Sequence, residues 1–420
     1  MKIFRQLTIL FILAISGICN INAQNSMTPY SMYGYGILND NATSMQRQMG
    51  GVGYAMNSGR QINVMNPASY ASIDTLTFLW DMGATVSMLW SQEGSVKESA
   101  VGGGLDYITM QFPLGKYMGG SLGLLPYSSV GYAFGNEIKH GTLSNQGSGG
   151  ITQAYAGVSG RIGNFAIGAN ISYNFGNIIN DVYAYAENGN ETLFENVLQI
   201  RDWNINIGVQ YTQLLDKFNQ LTLGATYSPK KTMKGKTWGT YWDITQDSDA
   251  DTIGYMDISG KYYQPNTIGV GLNYKYERAF KFMVEADFTW QDWSKAKYSP
   301  LLDENGTVLF KGMTFSDRWK AALGFEYIPK VRGNYFQRIN YRLGGYYNHD
   351  YLLINENNVR EYGITAGFGL PTIEGKTMIN IGLEWKHRSA YPQQLISENY
   401  FNITVGINFN ELWFWQRKLK

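Results

Sequence analysis

From about residue 75 to the end, apolar and polar positions alternate. In the last full stretch, Phe401, Ile403, Val405, Ile407 and Phe409 share one face, and Asn402, Thr404, Gly406, Asn408 and Asn410 share the other. A period of two is the signature of a β-strand, whose successive side chains leave opposite faces. Fourteen such runs follow one another, at about 75–91, 101–112, 117–135, 151–161, 165–176, 201–213, 220–228, 262–276, 280–293, 315–328, 337–348, 361–370, 376–388 and 399–410. In the run from Phe165, the residues Phe165, Ile167, Ala169, Ile171, Tyr173 and Phe175 alternate with Ala166, Gly168, Asn170, Ser172 and Asn174.

The connections are sorted by parity. They are very short after runs two, four, eight and twelve (114–116, 162–164, 277–279 and 371–375). They are generally longer after the odd-numbered runs, up to 176–200 and 229–261. Short turns at one end and long loops at the other are the pattern of outer-membrane barrels. Lipid requires every backbone polar group to be paired within the protein, so the sheet must close. The expected fold is therefore an all-β transmembrane antiparallel β-barrel of about fourteen strands, in the outer membrane of a Gram-negative cell.

Composition agrees with lipid on one face and a polar interior on the other. Apolar residues make up 44%, aromatics 15% and charged residues only 16%, against about 25% charged in ordinary soluble chains. Aromatics near run ends, among them Trp80, Trp90, Trp290, Trp319 and Trp385, suit girdles at the two interfaces. A net charge of +1 argues against a nucleic-acid partner. Lys2 and Arg5, then the apolar run from Leu7 to Cys19, then Ile21-Asn22-Ala23, read as a signal peptide over 1–23. Cys19 is the only cysteine, so the mature chain has no disulfide. Ile18 stands before it where lipid attachment wants a small residue.

The expected division is 24–73 as an N-terminal segment, 74–410 as the barrel and 411–420 as a tail. Segment 24–73 does not alternate. It holds Tyr33-Gly34-Tyr35-Gly36, Met49-Gly50-Gly51-Val52-Gly53 and Asn66-Pro67-Ala68, which is turn and short-helix chemistry. Its tyrosines and methionines give it much to bury.

Two features of the barrel stand out. Pro126-Tyr127 interrupts the third run. Proline cannot donate to a ladder, so a gap in the wall or a bulge near the outer rim is expected there. The polar faces carry Lys275, Glu285, Asp287, Lys320, Glu326, Arg342, Glu384 and Lys386, which the alternation points into the lumen. They form either a paired network filling a plugged barrel or a wet ion path. Unpaired charges in a narrow interior are costly.

Nothing points to catalysis or a cofactor. His140 and His349 fall in expected outer loops, and His387 lies near a strand end. No His and Cys cluster suits a metal. The acidic stretch Asp247-Ser-Asp249-Ala-Asp251 lacks the glycine and the bidentate glutamate of a calcium loop.

Taken together, these stretches resemble the FadL-type outer-membrane transporters of long-chain fatty acids and other hydrophobic compounds, in particular the divergent members of Bacteroidota. Gly34, Gly36, the Met49-to-Gly53 run and Asn66-Pro67-Ala68 resemble that family's N-terminal hatch. Asp287-Phe-Thr-Trp290-Gln-Asp-Trp293-Ser294, Asp317-Arg318-Trp319 and Arg342-Leu-Gly-Gly-Tyr-Tyr347 resemble its later strands. The resemblance implies a barrel stoppered by a hatch, with Gly50, Gly51, Gly53, Asn66, Pro67 and Ala68 in it. It also implies passive lateral escape of a hydrophobic small molecule or lipid through a gap at Pro126 and Tyr127. Outer-membrane lipids and lipopolysaccharide would surround the wall. Some members of the family serve instead as subunits of secretion complexes. The tail, with Trp413, Phe414 and Trp415, together with the dense lumen charges, suits that alternative, a permanently plugged barrel holding an outer-membrane or periplasmic protein partner.

Overall fold

The computed structural model describes residues 27–138, 140–187, 189–244, 251–258, 262–296, 301–302, 308–310, 313–372 and 377–412. The expected signal peptide, most of the acidic loop and Trp413 to Trp415 lie outside these residues.

Fourteen strands form one closed antiparallel sheet. They are β1 Thr77–Glu93, β2 Val96–Gly115, β3 Met118–Ile138, β4 Gly141–Ile162, β5 Phe165–Ala186, β6 Glu191–Leu214, β7 Asn219–Ser228, β8 Thr267–Glu277, β9 Lys281–Gln291, β10 Arg318–Ile328, β11 Asn340–Ile354, β12 Asn357–Pro371, β13 Thr377–Tyr391 and β14 Ser397–Leu412. Each strand pairs with its neighbour in sequence. β14 returns to β1 over the register Thr77↔Leu412 to Gln92↔Ser397. Among the described residues no helix is long and apolar enough to cross a membrane. The barrel crosses with strands.

The alternation settles which face is which. Ile167, Ile171, Ile205, Leu272, Leu343 and Ile364 are exposed on the outside, while Asn170, Ser172, Asn273, Arg342 and Thr365 are buried inside. The outward band is apolar because hydrocarbon is its solvent.

Several strands run further than their alternation suggests. The expected loop at 176–200 is instead the continuation of β5 and β6, paired from Gly176↔Ile200 to Tyr185↔Glu191. Ile178, Ile179, Val182, Tyr183 and Tyr185 favour strand there. In this ribbon, contacts between the two strands stabilise the pairing without a strict in-and-out rule. The 229–261 connection holds a hairpin, Gly235–Asp243 with Asp251–Ile258, whose first arm pairs with β6. His349 lies within β11, opposite Arg360, rather than in an outer loop.

Residues 27–73 lie inside the barrel. They form a 3-10 helix Pro29–Met32, a two-residue strand Ile37–Leu38, a short helix Ser44–Arg47 and a second 3-10 helix Pro67–Ser72. Met45, Met49, Val52 and Met56 pack on Met283 and Ala322 of the wall. Ile62, Val64 and Tyr70 pack on Leu79, Tyr107, Leu125 and Tyr155. Towards the loop end, Tyr30, Tyr35, Trp293, Phe315 and Tyr351 fill the lumen as one aromatic cluster. The Trp293 ring lies 4.6 Å from that of Tyr351 and 5.7 Å from that of Tyr35. The wall makes room with glycine: a Cβ on Gly344 would overlap the backbone of Met49 and Gly50.

Candidate functional site: the seam between β2 and β3 and the segment behind it

Among the described residues, the longest interruption between neighbouring strands of the wall lies between β2 and β3. Near the turn end they pair from Gly115↔Met118 to Ile108↔Leu124. Beyond that point they part. β2 goes on pairing with β1 as far as Glu93↔Val96, and β3 with β4 as far as Ile138↔Gly141. Pro126 stands just past the last shared rung. Tyr127 is the extra residue of a bulge, since Pro126 faces Thr152 and Ser128 faces Ile151. A proline has no N–H to carry a ladder onward.

The edge of β3 left by the parting is met from inside. Ile37 and Leu38 pair with Ser129 and Ser128. The Asn39 N–H donates to the Tyr127 carbonyl at 3.0 Å and the Thr28 N–H to that of Gly131 at 2.8 Å. The Gly131 N–H donates to the Ser31 hydroxyl at 3.1 Å. The edge of β2 from Val96 to Tyr107 has no such partner in the sheet pairing of the described residues. It borders a cavity of about 140 Å³ lined by Gly102, Gly103, Gly104 and Pro126 on the seam side and by Arg47 and Arg388 on the inner side.

The charges behind the seam are paired. Arg47 lies 3.1 Å from Asp106. Glu361 takes Arg388 at 2.5 Å and Lys386 at 3.4 Å. Glu398 accepts from Thr28 Oγ1 at 2.5 Å and from Tyr400 Oη at 2.7 Å. Glu384 accepts from the Tyr346 and Asn402 side chains. Deeper in, Asp40 receives Lys320 Nζ at 2.6 Å and Arg318 Nη2 at 3.0 Å. Burial alone would raise the Asp40 carboxyl. Lys320 and Arg318 outweigh it and hold the group well below the usual carboxylate range.

Three further wall charges hold the interior segment, two of them by its backbone. Asp287 Oδ2 accepts from the N–H of Gly53 at 2.6 Å and of Tyr54 at 3.0 Å. Glu285 Oε1 accepts from the N–H of Ala55 at 2.8 Å. Arg342 donates to Glu326 at 2.8 Å and to the Gln48 side chain at 2.8 Å, and Lys281 joins Glu326 at 2.7 Å. Lys275 stands apart at the turn end and pairs with Glu277.

Asn66 caps the second 3-10 helix. Its Oδ1 accepts from the N–H of Ala68 at 3.0 Å, and its Nδ2 donates to the carbonyls of Tyr54 and Val209. Pro67 takes the first helical position, where a missing N–H costs nothing. Gly50 and Gly51 leave the short helix Ser44–Arg47 with φ of +74° and +80°, a conformation that favours glycine.

Sequence reasoning placed Lys320, Glu326, Arg342, Glu285 and Asp287 on the inner face. It missed Asp40, Arg47, Glu361, Arg388 and Glu398. The last three were findable, because Glu361 and Arg388 fall on the polar side of an alternating run and Glu398 stands one residue before the last run, in phase with its polar face. Asp40 and Arg47 lie in a segment without periodicity, which carries no signal for facing. Among the described residues no group of His, Cys, Asp and Glu could hold a metal.

A family model described as BamG matches residues 3–420. Among solved structures, a FadL homologue of Pseudomonas aeruginosa is 11% identical, with a TM-score of 0.63 over 89% of this chain and 99% of that one. The Pseudomonas putida toluene transporter TodX is 14% identical, with a TM-score of 0.63 over 89% of this chain and 98% of that one. The CymD monoaromatic hydrocarbon channel is 13% identical, with a TM-score of 0.55 over 89% and 99%. Identities of this size establish a shared fold. A comparison with curated proteins finds no match.

Proposed function

Since this chain belongs to the BamG family, we propose that it serves as a structural subunit of a larger outer-membrane assembly, a barrel whose lumen stays filled. The carrying observation is the wiring of residues 27–73 to the wall. Asp40 holds two cations, Asp287 and Glu285 hold three successive backbone N–H groups, and Gln48 holds Arg342. Withdrawing the segment would strand these groups unpaired in the lumen, where each costs about 1–3 kcal/mol or more. An aromatic cluster closes the loop end as well. The expected protein contact through residues 411–420 belongs to the same reading.

Extraction of native membranes in a mild detergent tests it. The chain should migrate in a complex well above its 47.3 kDa mass. A lone monomer would sink the reading.

A second reading is lateral passage of a hydrophobic small molecule, such as a long-chain fatty acid, through the seam. It is supported by the parting of β2 and β3 at Pro126 and by the fold shared with hydrocarbon channels. Charged groups line the cavity behind the seam, whereas apolar ligand sites are lined mainly by apolar side chains. This reading expects whole-cell uptake of toluene or of a fatty acid to fall in Pro126→Val. Unchanged uptake of both counts against it.

A further inference from the structure

We propose that the open edge of β2 is the docking site for an extended segment of another protein, which pairs with it through the main chain and completes the wall. The proposal rests on the subunit reading above. From Val96 to Tyr107, β2 pairs only with β1. Part of this edge lies in the outward apolar band. Val101 and Leu105 are 49% and 56% exposed. Val101 is in register with the girdle residue Trp385 through Met88 and Phe401, and Leu105, nearer the turn end, is in register with Val405 and Ile381 through Ala84. Hydrocarbon offers nothing to a backbone N–H or carbonyl.

Between Lys97-Glu98 at the loop end and Asp106, the edge is also bare. Residues 99–105 read Ser-Ala-Val-Gly-Gly-Gly-Leu, with none of the charges or prolines that usually guard an exposed edge. Three consecutive glycines hold no second backbone away. Across the seam, the matching edge of β3 is already met by main chain, from Thr28 and Ile37 to Asn39. The same chemistry suits β2, and the interior segment is committed elsewhere.

The surroundings specify the occupant. Its outer face meets lipid, and its inner face meets Arg47, Asp106, Lys386 and Arg388. It therefore alternates apolar and polar residues, as a strand of another outer-membrane protein does. β2 runs from the loop end to the turn end, so an antiparallel occupant runs the other way. A second copy does not fit. In the same membrane its own β2 runs parallel, and its β3 edge is taken.

Hydrogen exchange on the full chain in detergent tests the edge. Amides within 99–105 that do not bond β1 should exchange fast. A synthetic peptide with the alternating sequence of residues 165–175 should slow them by about tenfold. A peptide of the same composition with its apolar residues grouped should not. Edge amides that are slow without peptide, or that respond equally to both peptides or to neither, would overturn the proposal. In cells, a photo-crosslinker at Val101 or Leu105 should join an alternating segment of another protein, while one at Ile205 on the closed wall should join lipid. Lipid adducts alone at all three positions would also overturn it. A lone monomer in mild detergent would retire the subunit reading and leave the peptide result to decide the edge.

Discussion

Lys320 reaches 2.6 Å from Asp40, joining the wall to the interior segment across 280 residues of sequence. Arg318 shares the same carboxylate at 3.0 Å. Both cations are nearly buried, so removing the acid leaves two charges uncompensated. Asp40→Asn should destabilise the barrel by roughly 2–4 kcal/mol. Lys320→Met should cost less, because Arg318 remains. Denaturant midpoints in detergent check the order, and an unchanged midpoint for Asp40→Asn would refute the link.

The same acid sets a pH dependence. A carboxyl held low in the folded state contributes stability that is full above its unfolded value, about 3.9. That stability is lost as pH falls through the lower folded value. The gap between wild type and Asp40→Asn should therefore stay constant from about pH 8 to pH 5 and shrink only below about pH 4. Midpoints taken across that range are the measurement. A gap that closes near neutral pH would show that Asp40 is not held by its two cations.

Glu326 lies at the centre of a buried set with Arg342 and Lys281, with Glu326 and Arg342 both fully buried. Glu326→Ala should cost roughly 3–5 kcal/mol, since a buried guanidinium is left without its acid. Arg342 also donates to Gln48. A double-mutant cycle between Arg342→Met and Gln48→Ala should show coupling of about 1 kcal/mol. Additivity of the two would mean that this contact does not hold the segment.

Glycine 344 lies against Met49. A methyl group there would overlap the Met49 and Gly50 backbone, and Gly50 cannot easily retreat from its positive φ. Gly344→Ala should cost about 1–3 kcal/mol and expose the chain around residues 45–56 to protease. Gly345→Ala is the control, because its Cβ would meet only the Gly363 carbonyl at 3.5 Å. Equal protection of both variants would refute the close approach.

Asn66 both caps a helix and bridges to Tyr54 and Val209. Asn66→Ala should lose about 1–2 kcal/mol. Asn66→Asp should restore only part of it, since the acceptor returns and the two donations do not. Full rescue by Asp would assign the whole effect to the cap.

The alternation by itself determined that the chain is a barrel, how many strands it has and which residues face lipid. In hydrocarbon these are one requirement: each strand must be paired, and each must show lipid an apolar face. Pro126 showed only that the third run could not carry an unbroken ladder, because a missing N–H is written in the sequence. Only the tertiary structure decided the rest. It set the register that brings Glu361, Arg388 and Glu398 together, and the path that lays Ile37 and Leu38 along β3. It also decided the placing of Asp40 between Arg318 and Lys320, and the edge that β2 leaves open. Those contacts join residues tens to hundreds of positions apart. They depend on how the chain returns upon itself, which no local period records.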